Sequence, residues 1–195
     1  MIQDPHLPSN APFDEIAKNY DHVFEENPIT RSIRPIVWNS LLQHFTLGDH
    51  VLELNCGTGT DAIMLAQHGI SVTGFDISEK MIYEAKTKIQ NRNLEAFINF
   101  HVLDFQEMPK LKNRKYDGAF SNFGGLNCAP LVAEVAEYLS YLLRPDGVFV
   151  ACLMNNLPLW EIGSFLAHGK VSRAFRRLRS QPVNVQLGTG SIPVW

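Results

Sequence analysis

From residue 50 onward the chain reads as a doubly wound α/β domain with a mainly parallel sheet, preceded by a helical cap. Three observations predict this. Apolar strand segments recur about every 20 to 30 residues with amphipathic helix segments between them, the rhythm of consecutive βαβ units. No strand segment precedes residue 50, where apolar positions follow helical spacing instead. A glycine-rich turn, Asn55-Cys56-Gly57-Thr58-Gly59-Thr60, joins the first strand to its helix.

The elements follow in order. Pro5 and Pro8 mark a loose arm. Phe13, Ile16, Ala17 and Tyr20 share a helical face, and Ile33, Ile36, Val37, Leu41 and Leu42 share another; Asn27-Pro28 divides them. Residues 51–54 form the first strand, and a helix over 61–68 ends at Gly69. Residues 70–76 form the second strand, and Ser78 is the N-cap of a helix to about residue 90. Strands over 98–104 and 116–123 follow. Pro130 opens a helix carrying Leu131, Val135, Leu139 and Leu142. Arg144-Pro145-Asp146-Gly147 is a turn in which glycine permits φ > 0, and residues 148–154 are a fifth, buried strand. The predicted division is an arm and cap over 1–48, a ligand-binding α/β core over 49–155, and substrate-side helices with the start of closing strands over 156–195, in one structural domain.

Composition bounds the function. At 195 residues, with 45% hydrophobic and 19% charged, the chain has one-domain length and ordinary globular composition. No apolar run approaches a membrane span, and the first residues lack a basic start and apolar h-region. Cys56, Cys128 and Cys152 form no CxxC pair. The expectation is a soluble, reduced, cytoplasmic protein. Residues 1–169 hold twelve Lys/Arg and twenty Asp/Glu, a balance of −8; residues 170–195 hold five basic residues and no acid, +5. The acidic body argues against nucleic acid as a partner.

In doubly wound sheets, ligands bind beyond the carboxyl ends of the strands where strand order reverses. The turn at Gly57 and Gly59 lies at such an end. Glycine lets backbone approach a ligand closely, although a glycine turn there also serves packing alone. Asp76, nineteen positions after Gly57, is placed to accept hydrogen bonds from ribose hydroxyls, or to cap the next helix. Together they indicate an adenosine-containing cofactor. Gly57-x-Gly59-x-x-Ala62 also fits a dinucleotide fingerprint, which keeps an NAD(P)-dependent oxidoreductase as an alternative. Three features tilt against it. Glu53 places a carboxylate inside strand one, suited to an ammonium or sulfonium. Asp104-Phe105 pairs an acceptor with an aromatic face, suited to adenine. No Tyr-x-x-x-Lys pair for hydride chemistry stands out. Each feature has a plain structural role as well: Glu53 can satisfy its own loop, and Phe105 can be core.

These segments resemble the class I S-adenosylmethionine-dependent methyltransferase family. The matching stretches are 51–59, 72–78, 103–105, 116–123 and 142–147, in family order across about residues 50–154, and residues 13–21 resemble the lead-in helix of small-molecule members. The resemblance implies a Rossmann-like methyltransferase fold and S-adenosylmethionine as cofactor. It implies that Glu53 and the backbone of Asn55, Cys56, Gly57, Thr58 and Gly59 hold the methionine part, and Asp76 the ribose. Ile77 and Met81 would pack on adenine or ribose, Asp104 would accept from the adenine amino group, and Phe105 would flank the ring. Ser121, Asn122 and Phe123 would sit beside the sulfonium, and Tyr20 would close over the cofactor. One position departs from the pattern: Asn55 stands where the family usually has glycine, and asparagine tolerates φ > 0.

The implied reaction is methyl transfer to a small-molecule acceptor. No general base is evident; His22 and His101 read as structural or solvated, while Asn122 and Asn127 can orient an acceptor without taking its proton. No metal spacing occurs among the seven histidines. Arg173, Arg176 and Arg177 share a helical face that is either solvated or an anion-binding lid for a carboxylate or phosphate acceptor. A homo-oligomer and a non-catalytic cofactor-binding module both stay open. At the end of the chain, Val183, Val185 and Leu187 alternate like a sixth strand, and Gly188-Thr189-Gly190 turns toward residues 192–195. A tight hairpin would be confined to an edge by Pro193; the expectation is a sheet that stops short of completion.

Overall fold

In the computed structural model, residues 13–111, 115–128, 132–154, 159–175, 183–187 and 190–194 are described. The cap divides where proline chemistry requires it. α1 (Tyr20–Glu26) ends at Asn27, whose side chain accepts hydrogen bonds from the Ile29 and Thr30 N–H groups. Pro28 then opens α2 (Pro28–His44) at a position with no helical N–H to lose. The arm expected before residue 11 lies outside the described residues.

Five parallel strands follow: β1 (His50–Leu54), β2 (Ser71–Asp76), β3 (Ile98–Val102), β4 (Tyr116–Ser121) and β5 (Leu143–Ala151), in the order β3-β2-β1-β4-β5. Between them run α3 (Thr60–Gln67), α4 (Glu79–Gln90), a 3-10 segment Phe105–Leu111, and α5 (Val132–Leu142). The two-residue period of β1 sorts its side chains onto opposite faces. Val51 joins Leu41, Leu65 and Ile82 in one core, while Leu52 and Leu54 join Met108, Val135 and Leu139 in the other. Helices therefore cover both faces, and strand order reverses between β1 and β4.

The structure alters several sequence expectations. β3 and β4 end earlier than predicted, at Val102 and Ser121, which leaves Asp104 and Phe123 in the loops beyond them. Of the helix predicted from Pro130, the described part begins at Val132. The turn expected at residues 144–147 is instead a bulge inside β5: Tyr116 pairs with Leu143 and Gly118 with Val148. The positive φ there belongs to Asp146, at 66°, rather than to Gly147. Gly147 is required for space, since a β-carbon would lie 3.0 Å from the Arg144 carbonyl oxygen. The apolar run of β5 predicts a buried strand, yet it is the edge of the five-stranded sheet, with Val148 and Phe149 each 37% exposed.

After β5, α6 (Leu159–Ala167) and α7 (Val171–Ala174) pack against each other. β6 (Val183–Leu187) and β7 (Gly190–Val194) then form the tight hairpin, with Asn184 opposite Pro193, as a two-stranded sheet separate from the main one. β7 lies beside a 3-10 turn, Gly125–Cys128, that follows β4. Among the described residues, no helix is long and apolar enough to cross a membrane.

Candidate functional site

The glycine turn leaves β1 at its carboxyl end, beside the reversal of strand order, and the backbone stitches it to β2. The Cys56 N–H donates to the Phe75 carbonyl at 3.0 Å, and the Gly57 N–H donates to Asp76 Oδ2 at 3.0 Å. The other Asp76 oxygen accepts from the Ser78 N–H at 2.9 Å. Ser78 itself caps α4, its Oγ accepting from the Met81 N–H at 3.1 Å. Asp76 thus braces the turn and the helix entry, while Ser78 does the capping. Burial pushes the Asp76 carboxyl above its usual range, and the N–H groups of Ser78 and Gly57 offset part of that.

A cavity of about 380 Å³ opens over these strand ends. Glu53, Asn55, Cys56, Gly57 and Thr58 line it from β1 and its turn. Asp76, Ile77 and Met81 line it beyond β2, Asp104 and Phe105 beyond β3, and Tyr20 from the cap. Two expected residues stand apart from the lining. Gly59 (φ 73°) has the Phe100 ring where a β-carbon would go, so its smallness admits a core aromatic. Ser121 is buried behind the wall, with no hydrogen-bond partner for its hydroxyl. Asp104 also serves its own loop, where its Oδ1 accepts from the Gln106 N–H at 2.9 Å and opens the 3-10 segment.

Sequence reasoning missed the corner built by Phe24, Arg34 and Asp61. Asp61, in the first turn of α3, is buried and accepts from three donors: Arg34 at 3.0 Å and Trp38 at 2.7 Å on Oδ1, and Asn122 at 2.8 Å on Oδ2. The Arg34 guanidinium lies 4.8 Å from the centroid of the Phe123 ring, which meets Phe24 edge-on at 5.6 Å. Tyr20 stacks on Phe24 at 4.5 Å, completing an aromatic wall. The available signal was Arg34 and Trp38 one helical turn apart, with a lone acid opening the helix after the glycine turn.

The ionisable side chains lining the cavity are mostly acidic and mostly buried. Glu53 is only 3% exposed, and its carboxyl is pushed well above the usual range by burial, then by Asp61 and Asp76. Glu53 Oε2, Asn55 Oδ1 and Asn122 Oδ1 are buried without a hydrogen-bond partner. Burial, then Asp76, raises the Tyr20 hydroxyl beyond its ordinary value, so it stays neutral. Burial likewise raises the Cys56 and Cys128 thiols. Two cap carboxylates close the arrangement. Asp21 accepts from Thr58 Oγ1 at 2.5 Å and Thr60 Oγ1 at 3.2 Å, and pairs with Lys88 at 2.7 Å. Burial pulls the Asp21 carboxyl up, but hydrogen bonds from Lys88 and Thr58 outweigh it and hold it below the ordinary value. Asp14 accepts from Ser78 Oγ at 2.5 Å.

His22 is exposed beside Glu26, and neither it nor His101 lines the cavity. Among the described residues, no group of three metal-ligating side chains gathers. Of the basic cluster, Arg173 lies exposed on α7, while Arg176 and Arg177 lie outside the described residues.

A family model described as a methyltransferase domain matches residues 46–183. The chain is 33% identical over 152 residues to a ubiquinone biosynthesis O-methyltransferase from Coxiella burnetii, covering 74% of this chain and 61% of that protein. It is 28% identical over 166 residues to the S-adenosyl-L-methionine-dependent Diels-Alderase iccD from Talaromyces variabilis, covering 84% and 53%. The chain therefore spans between 53% and 61% of the length of these two relatives. Its fold matches that of the mmp1179 protein from Methanococcus maripaludis, with a TM-score of 0.61, 18% identity, and coverage of 100% of this chain and 95% of that one. The oxidoreductase alternative has no counterpart among these matches.

Proposed function

The chain belongs to the methyltransferase-domain family, and from that premise we propose that it holds S-adenosylmethionine in the cavity and transfers the methyl group to a small-molecule acceptor. The observation that carries this reading is the Glu53 carboxyl, buried at the end of β1 with Oε2 facing no donor. A buried acceptor left unpaired costs roughly 1–3 kcal/mol, a cost that an ammonium-bearing ligand removes. The surroundings fit the same ligand. Gly57 lines the cavity beneath the Tyr20 ring and holds φ 52°, a left-handed geometry that glycine adopts at no steric cost. Asp76 supplies carboxylate oxygens, and Phe105, edge-on to Phe75 at 5.9 Å, offers an aromatic face.

When bound, the cofactor supplies an electrophilic methyl carbon on a positive sulfur. The chain contributes position. Glu53 and the turn fix one end of the ligand, Asp76 and Asp104 fix the other, and the wall of Tyr20, Phe24 and Phe123 keeps water out. Holding two reactants in line is worth up to roughly 7–11 kcal/mol in well-oriented systems, which suits a cavity whose lining holds no histidine or lysine among the described residues. The acceptor enters this reading as a small molecule; an anionic one would meet Arg34, already opposite Asp61. The same reading includes a cytoplasmic location, absence of nucleic-acid and membrane partners, and room for self-association.

Isothermal calorimetry with S-adenosylhomocysteine tests it. Saturable binding with a micromolar dissociation constant is expected, with no heat from NADH. Folded protein that gives no heat with S-adenosylhomocysteine at high micromolar concentration would overturn the assignment.

A further inference from the structure

The Arg34 guanidinium is fixed in place yet keeps donors to spare. Its carbon lies 4.8 Å from the centroid of the Phe123 ring and 5.9 Å from those of Phe24 and Trp38, and Nη1 donates to Asp61 at 3.0 Å. A guanidinium carries several N–H donors in a planar fork, and among the described residues the bond to Asp61 is the hydrogen bond that Arg34 makes. The side chain is 16% exposed and lines the cavity. Asp61 does not depend on Arg34 alone. The Trp38 indole at 2.7 Å and the Asn122 amide at 2.8 Å donate to its two oxygens as well, so each oxygen has a donor besides the guanidinium.

The backbone after β4 is strained to build the same corner. Phe123 holds φ 50°, a left-handed conformation that is an outlier for a bulky side chain. Its result is a ring placed beside Arg34 and edge-on to Phe24 at 5.6 Å. Asn122, one residue earlier, gives its amide nitrogen to Asp61, which leaves Oδ1 buried without a hydrogen-bond partner in a side chain that lines the cavity. One wall therefore offers a fork of unused N–H groups, two aromatic rings and an unfilled acceptor, apart from the residues to which the cofactor reading gives the two ends of its ligand. The fork suits a carboxylate. The rings suit a planar aromatic body. The acceptor suits the O–H or N–H that a substrate for methylation presents.

We propose that Arg34 selects the methyl acceptor: its guanidinium receives the carboxylate of an aromatic acid whose ring lies against Phe24 and Phe123. The inference rests on the cofactor reading above and adds the chemical class of the second substrate, which that reading leaves as any small molecule. Arg34 is the specificity-determining residue, and Asp61, satisfied by Trp38 and Asn122, steadies it while it engages the ligand. Arg34→Lys keeps a positive charge opposite Asp61 but removes the planar fork, a loss that falls on a bound carboxylate.

The experiment titrates the full chain, saturated with S-adenosylhomocysteine, with benzoate, with its neutral analogue benzamide, and with acetate, which has no ring. The readout is the Trp38 indole N–H resonance, assigned with Trp38→Phe, because that group shares Asp61 Oδ1 with Arg34. Benzoate is expected to shift it saturably with a dissociation constant of about a millimolar, and benzamide and acetate to bind at least roughly tenfold more weakly. Arg34→Lys, its folding checked by thermal unfolding, is expected to lose about tenfold for benzoate, the scale of one charge-assisted hydrogen bond, and to bind S-adenosylhomocysteine within about twofold of the unmutated chain. Equal affinity for benzoate and either comparator, no saturation by roughly 50 mM benzoate, or an unchanged benzoate affinity in Arg34→Lys would overturn the proposal while leaving the cofactor reading intact. So would a loss of about tenfold for S-adenosylhomocysteine in Arg34→Lys, which assigns the guanidinium to the cofactor. If Arg34→Lys is unfolded, the comparison of benzoate with benzamide on the unmutated chain decides. An unmutated chain that does not bind S-adenosylhomocysteine overturns the cofactor reading, and this proposal with it.

Discussion

The two ends of the same parallel sheet are built to opposite standards. At the amino ends of β1 and β4, several polar groups find partners. Asp117 accepts from the His50 N–H at 2.8 Å and pairs with Arg144, His50 Nε2 meets Thr73 Oγ1 at 2.9 Å, and Lys115 donates to the Tyr141 carbonyl. At the carboxyl ends of the same strands, Glu53, Asn55, Ser121 and Asn122 bury oxygens that meet no donor. Parallel strands expose carbonyls at one end and N–H groups at the other, yet that polarity alone explains neither the buried acid nor the missing donors. The amino end is finished for stability and the carboxyl end is left for a ligand.

Removing the buried acid should break this contrast most sharply. Glu53→Gln is expected to cost about tenfold to 150-fold in S-adenosylhomocysteine affinity, the span of a charge-assisted hydrogen bond, while leaving thermal stability at neutral pH equal or higher. The pH dependence follows in sign. Burial holds the Glu53 carboxyl well above its ordinary 4.5, so the folded chain keeps a proton that the unfolded chain releases. The contribution of Glu53 to the stability of the ligand-free chain is therefore greatest below that ordinary value and declines as pH rises from it through the folded value. Asp76 contributes with the same sign. Melting curves across pH should flatten in Glu53→Gln; an unchanged slope would locate the proton elsewhere.

A smaller effect is expected at the latch between cap and turn. Asp21→Asn weakens the contacts to Thr58, Thr60 and Lys88, and part of that is screened because Asp21 is only half-buried. Ligand affinity should fall about threefold, with faster proteolytic cleavage within α1 in the absence of ligand. Wild-type cleavage rates would show that the cap is held by its aromatic wall instead. Smallest is a change at the finished end. Asp117→Asn should cost about 1 kcal/mol of stability, a fall of about 3 °C in melting temperature for a chain of this size, with ligand affinity unaltered. A loss of affinity there would mean that the two ends are coupled.

What could be read in advance follows the range over which each signal acts. Asn27-Pro28, the Ser78 cap and the strand-turn-helix around Gly57 are written within a few neighbouring residues, and the structure has them where the pattern put them. The pieces that escaped are settled across the chain. Gly59 reads from its neighbours as one glycine of the turn, and nothing local reveals that Phe100, forty-one positions away, fills the space where its side chain would go. Arg34 and Asp61 are twenty-seven positions apart, and neither segment names its partner. Phe24 has no local mark of a site residue, and its place in the wall depends on Phe123, which holds φ 50° beyond β4. The bulge in β5 escaped for a similar reason: a Pro-Asp-Gly run signals a reversal, but pairing with β4 on both sides kept the strand going.

The position of β1 between β2 and β4 has a consequence for how the molecule assembles. β1 and β2 are joined by a short crossover, and Leu54 aligns with Phe75 only twenty-one positions on. Glu53 aligns with Phe120 across sixty-seven. Closing the longer loop costs more chain entropy and comes at lower frequency, so the β1–β4 seam is the later one to zip. The cavity straddles that seam. A molecule bridging it fastens the last-made junction from above, and its bound lifetime and the unfolding lifetime of the chain should lengthen together.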